Sequence, residues 1–263
     1  MKKRIFYAGG VLAAILLAVA GVYGYLYAST PSHIRHPEFE HYHFRTQIVV
    51  DGKAVDLSKD KFQNEAPGTC TTDPGGTPVD FHDHMDQMTH IHWKGLTGGE
   101  FLKYFGWNLI GGSDGSLGRR YDDGFMSMHS VSRFGDLLPD VPEGSNFYVY
   151  VGDKDGYKQK SWDDFLHRDL EDFFGKKSNL NQGEQTSSLE DLFFPKAYAH
   201  GGMVDDHDER KTGKTKKTEE ELTRINNLVG NVVIFVQKDE PTKEQIQRRF
   251  DNLVPLRDSI CGG

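Results

Sequence analysis

Cysteine is scarce in this chain, with two residues in 263. No disulfide framework and no cysteine-rich zinc module can therefore organise it. Concentrated positive charge is scarce as well. Lys and Arg number 31 against 39 Asp and Glu, and the one dense basic stretch is RKTGKTKK, Arg210 to Lys217. That stretch lies in low-complexity sequence and reads as solvated linker. Nucleic acids and anionic lipid surfaces both need clustered positive charge, so neither is an expected partner. The chain also has no His-Glu-x-x-His, no phosphate-binding loop and no dinucleotide fingerprint. The zincin, P-loop and Rossmann chemistries recognised by those motifs are thereby excluded as starting points.

One feature runs against the polar average, a mean hydropathy of −0.60 with 37% hydrophobic residues. Residues 5 to 28, IFYAGGVLAAILLAVAGVYGYLYA, carry no charge and follow Lys2, Lys3 and Arg4. At a rise of about 1.5 Å per residue, such a run reaches about 36 Å, against a hydrocarbon core of about 30 Å. The expectation is a single N-terminal transmembrane helix with its basic end in the cytoplasm and the bulk of the chain extracytoplasmic at the cell membrane. A cleaved signal peptide is the competing reading; the length of the run and Leu26 in place of a small residue favour the uncleaved signal-anchor. The part beyond the anchor carries 28 Lys and Arg against 39 Asp and Glu, a balance of −11 that suits cations. In an oxidising compartment Cys70 and Cys261 could join as a disulfide; the alternatives are two free thiols, or Cys70 as a soft metal ligand.

Four regions follow: the cytoplasmic tip and anchor, 1–30; an α+β domain, 31–174; a polar, mobile insertion, 175–220; and a closing strand and helix of the same domain, 221–263. His41 to Ser58 reads as two strands joined at Asp51-Gly52, where a type I′ turn needs positive φ. The Pro- and Gly-rich stretch from 63 to 80 reads as loop. A strand is expected at His90 to Trp93. Thr97 to Glu100 then reads as a capping box opening a helix with Phe101, Leu102 and Phe105 on its apolar face. NFYVYVGDKDG, Asn146 to Gly156, is a strand ending in a tight turn. One helix is expected over Ser161 to Phe174, a short one over Glu221 to Leu228, a central strand over Gly230 to Gln237, and a last helix opening at Thr242. The fold class is α+β, a small mixed or antiparallel sheet with short helices.

The chemistry concentrates in FHDHMDQMTHIHW, Phe81 to Trp93, which holds four of the chain's 12 histidines. Side chains alternate along a strand, so His90 and His92 share one face. His82 and His84 would do the same in an extended segment, and His41 and His43 form a third His-x-His pair. Neutral imidazoles bind zinc, copper, nickel and iron. The candidate metal ligands are His84, His90 and His92, then His82, then His41 and His43 if the first strand lies beside the His90 strand. A copper or zinc ion is the expected cofactor. Met85 and Met88 would favour Cu(I), and Asp83 or Asp86 could ligate or orient a ring. The competing reading is a wet sheet face whose histidines only stack and hydrogen-bond. A metal-dependent hydrolase would need a base such as Asp83, Asp86 or Glu100, and no spacing selects one. The acidic, His-bearing run from His200 to Asp208 reads as a solvated loop.

Taken in order, HYHFRTQIVVDGKAVDL, Cys70, FHDHMDQMTHIHW and LTGGEFLKYFGW resemble a group of exported or membrane-anchored bacterial proteins. Those share His-x-His before a DGK or NGK hairpin, a Leu-His-x-His-Asp stretch, an Ile-His strand and a Thr-Leu-Gly-x-Phe-Phe helix ending in Trp-Gly. Here Phe81 stands in place of the Leu, and Met85 interrupts the His-Asp junction. The resemblance covers about half of the chain beyond the anchor. It implies the sheet layout and export, with an insertion of roughly 60 residues between the last two strands, and it carries no activity with it.

Overall fold

In a computed structural model the described residues are 2–29, 31–63, 78–81, 84–105, 107, 137–176 and 217–257. The expected membrane anchor is the first correction. Lys2–Ser29 forms a helix, α1, yet among the described residues no helix is long and apolar enough to cross a membrane. The single N-terminal span, the signal-anchor and the membrane location inferred from them are therefore unsupported. Cys70, Cys261, residues 108–136, residues 177–216 and with them the His200 to Asp208 run lie outside the described residues, as does any disulfide between the cysteines.

After the short helix α2 (Ser32–Arg35) comes the long strand β1 (Phe39–Val50), which turns through Asp51 and Gly52 into β2 (Lys53–Ala54). Both turn residues have positive φ, 46° and 76°, as a type I′ hairpin requires. The expected second strand to Ser58 stops after two residues. The remaining strands are β3 (Val79–Asp80), β4 (Met88–Trp93), β5 (Asn146–Asp153), β6 (Gly156–Lys160) and β7 (Leu228–Gln237). They make one seven-stranded sheet in the order β3-β4-β1-β7-β5-β6, with β2 on β1. β1 and β7 run parallel and the other pairs antiparallel, so the sheet is mixed. The fold is α+β. β7 takes the central place because its run of Val, Ile and Phe is buried on both faces, which suits a strand flanked by two neighbours.

Helices cover both faces. α3 (Gly98–Tyr104) starts at a full capping box, with Thr97 and Glu100 each satisfying the other's backbone N–H. The helix expected over Ser161 to Phe174 is two: α4 (Trp162–His167) and α5 (Leu170–Phe174). The break falls at Arg168, which is extended, because Asp169 caps α5 by accepting from Asp172 N and bridges to Thr97. α6 (Glu219–Ile225) and α7 (Lys243–Asp251) open at capping boxes of Thr218 with Glu221 and Thr242 with Gln245.

The alternation of β1 sorts the two faces. Tyr42, Phe44, Ile48 and Val50 enter the larger core with Ile91, Trp93, Phe101, Phe165 and Phe173. Each such buried side chain contributes about 1.5 to 3 kcal/mol of transfer free energy. Val49 enters the smaller core against Ile246 and Phe250 of α7. His43, Arg45 and Gln47 share the parity of Val49, and Gln47 Nε2 donates to the Arg249 carbonyl of α7 at 2.8 Å. The histidines of β1 thus face away from the main core.

Candidate metal centre

β4 lies antiparallel beside β1, with His43 directly opposite His90 and Tyr42 opposite Ile91. A bulge between Phe39 and Tyr42 shifts the register and lets His41 turn towards the His90 and His92 side chains. One ligand atom each from His41, His90 and His92 then lies within 4.8 Å of the others. All three side chains are buried, with exposures of 4%, 0% and 4%. Three nitrogens at about 2.0–2.1 Å from one ion stand roughly 3.4 Å apart, so small ring rotations bring this group to coordination distance. The cluster could hold a metal ion, and imidazole donors select zinc, copper, nickel or iron over magnesium or calcium.

His43 completes the group from one side. Its ring lies 4.3 Å from that of His90 and 4.6 Å from that of His41, edge to face in both cases. Its Nε2 meets His90 Nδ1 at 3.0 Å, and its Nδ1 meets the Asn226 carbonyl. The turn between α6 and β7 holds this end of β1: His43 N donates to Asn227 O at 3.1 Å, and Asn227 Nδ2 donates to His41 O. Asn227 adopts a left-handed φ of 46°, which Asn tolerates better than most residues. Asn226 is itself fixed, its Nδ2 donating to Leu222 O at 2.9 Å and Arg257 O at 2.7 Å.

His84 does not join them. Its φ of 49° breaks the extended geometry that would have put it on one face with His82. Its side chain is half exposed, with Nδ1 against Ser58 O at 3.0 Å. His82 and Asp83 lie outside the described residues. The other expected auxiliaries are committed elsewhere. Asp86 accepts from Leu57 N at 3.0 Å, and burial pushes its carboxyl above the usual range. Glu100 closes the capping box and meets His33 Nε2 at 2.8 Å. Met85 and Met88 pack with Leu228 and Leu256 in a small apolar cluster.

Sequence reading missed Asp80. It falls in a stretch that reads as loop, yet it pairs directly with His90 from β3 and is 1% exposed. Residues directly opposite in an antiparallel pair point to one face, so the Asp80 carboxyl lies on the same face as the rings. The only hint was the apolar-acidic pair Val79-Asp80 before Phe81, too short for an alternation signal. Two residues along from His43, Arg45 brings the opposite charge. It is bound by Asn231 Oδ1 and Glu219 Oε1, both at 3.1 Å, and burial lowers its pKa.

No protein-family model, no curated protein and no solved structure matches the chain.

Proposed function

We propose that the sheet holds a divalent zinc or copper ion between His41, His90 and His92, in metal handling or sensing or as a structural centre. The convergence of three buried imidazoles on one sheet face is the observation that carries this reading. An all-nitrogen donor set favours Zn²⁺ or Cu²⁺, and with both methionines packed in apolar surroundings the case for Cu(I) weakens. Burial of every ring supports retention of the ion over rapid turnover, since hydrolytic centres keep one position open to water.

A second reading is favoured by the ring packing. His43 and His90 stand at 90° with centroids 4.3 Å apart, an edge-to-face arrangement that stabilises a sheet without any ion. The deciding experiment uses the full chain, stripped of metal with chelator. Zn²⁺ and Cu²⁺ are titrated calorimetrically into the parent, His90→Ala, His92→Ala and His84→Ala. The metal reading expects one ion per chain, binding weakened at least 100-fold in the His90 and His92 variants, and no change for His84. Binding unaffected by His90→Ala and His92→Ala, or no binding by the parent, leaves the histidines as sheet packing.

A further inference from the structure

We infer that His43, expected from its spacing to be a ligand, is a positioning residue that fixes the tautomer of His90. The inference rests on the metal reading for its consequence, but the tautomer itself is measurable without any ion. A neutral imidazole carries one N–H and one lone pair. His43 Nδ1 faces the Asn226 carbonyl, which only accepts, so the proton of His43 resides on Nδ1. His43 Nε2 then presents its lone pair to His90 Nδ1, 3.0 Å away. His90 Nδ1 must therefore be the donor, and Nε2 is the His90 nitrogen that presents a lone pair.

The chain of dependence runs further back. Asn226 cannot turn its carbonyl away, because its side-chain amide is held by the Leu222 and Arg257 carbonyls and the residue is 3% exposed. A backbone carbonyl thus sets one ring, that ring sets the next, and the second ring is set as a metal ligand. Outer hydrogen bonds of this kind fix ring orientation and raise ligand basicity, and their loss costs about 10- to 100-fold in metal affinity. His43 also stands opposite His90 at the backbone level, so the ring pair is held by the strand register as well as by the side chains.

The test is nitrogen NMR of the full, metal-free chain labelled with ¹⁵N-histidine, with the parent, His43→Gln and His43→Phe compared. Glutamine retains an N–H for Asn226 and an oxygen for His90; phenylalanine retains only the ring shape. The parent and His43→Gln should show His90 protonated on Nδ1. In His43→Phe, His90 should shift towards the Nε2-protonated form, and Zn²⁺ affinity should fall about 10- to 100-fold, with His43→Gln recovering most of it. Cu²⁺ electron paramagnetic resonance should show the same number of coupled nitrogens in the parent and His43→Gln. The inference is overturned if His90 in the parent is protonated on Nε2, if both nitrogens of His43 carry protons, or if His43→Gln loses one coupled nitrogen. Should His43→Phe fail to fold, the parent spectrum and His43→Gln still decide. A parent that binds no ion defeats the metal reading alone, and the tautomer measurement stands.

Discussion

Asp80 and His90 are direct partners across β3 and β4, with exposures of 1% and 0%. A carboxylate in such a place adds the negative charge that a divalent ion among neutral rings would otherwise lack. At low effective dielectric, a charge a few ångströms away is worth several kcal/mol, and proteins realise a fraction of that. Asp80→Asn keeps the shape and removes the charge. It should weaken Zn²⁺ binding about 10-fold while circular dichroism and thermal unfolding of the metal-free chain stay close to the parent. Equal affinity in the two proteins would mean that the carboxylate plays no part at the centre.

The sheet and the four clustered histidines were legible in unequal measure. His-x-His spacing fixed which rings share a face, because the strand period is two. Whether the two pairs meet depends on the β1–β4 register, and register is a tertiary property set by burial of Tyr42 and Ile91 on the other face. The hairpin at Asp51-Gly52 and the starts of α3 and α7 could be read directly, since their turn and cap chemistry is local. What could not be read was non-local or conformationally special. His84 leaves the extended region, Asp169 caps a second helix inside one apparent helix, and β1 runs parallel to a strand almost two hundred residues away.

Tyr42 offers a test of the other face. Its side chain is fully buried, and its Oη has no hydrogen-bond partner among the described residues. Burial above all holds the phenol well above its ordinary pKa, and the nearby carboxylates of Asp169, Glu40, Glu171 and Glu100 add to it. A buried hydroxyl without a partner carries a desolvation penalty of about 1 to 3 kcal/mol. Tyr42→Phe keeps the ring packing and should raise the urea unfolding free energy by about 1 kcal/mol. A loss of stability would reveal that the hydroxyl makes a bond in solution.

Gly98 follows the capping Thr97 and is a point of close approach between α3 and α4. A Cβ there would stand 2.5 Å from the Phe165 carbonyl oxygen and 2.6 Å from its ring carbons. The carbonyl belongs to backbone and cannot swing aside, so helix propensity, which favours alanine by up to about 1 kcal/mol, is overridden. Gly98→Ala should lower stability by about 1 to 3 kcal/mol, measured as a reduced urea midpoint at unchanged slope. Exposed Gly144, where nothing lies within 4 Å of an added Cβ, has no such contact, although its φ of 73° strains any side chain.

Alkaline titration should expose Tyr150. Its hydroxyl meets Glu240 Oε1 at 3.2 Å, and its ring packs edge-on against Phe235. Burial, with the Glu240 carboxylate second, pushes its pKa from 10.0 up to about 12. The folded phenol therefore keeps its proton at a pH where the unfolded one has lost it. A raised folded value means that the stabilisation is whole below pH 10.0 and drains away as pH climbs towards about 12. Ultraviolet titration near 295 nm should show a late-ionising tyrosine that disappears in Tyr150→Phe. Over the same interval the parent should lose unfolding free energy faster than Tyr150→Phe does. Parallel pH profiles for the two proteins would show that the phenol ionises freely in the folded chain and that Glu240 does not hold its proton.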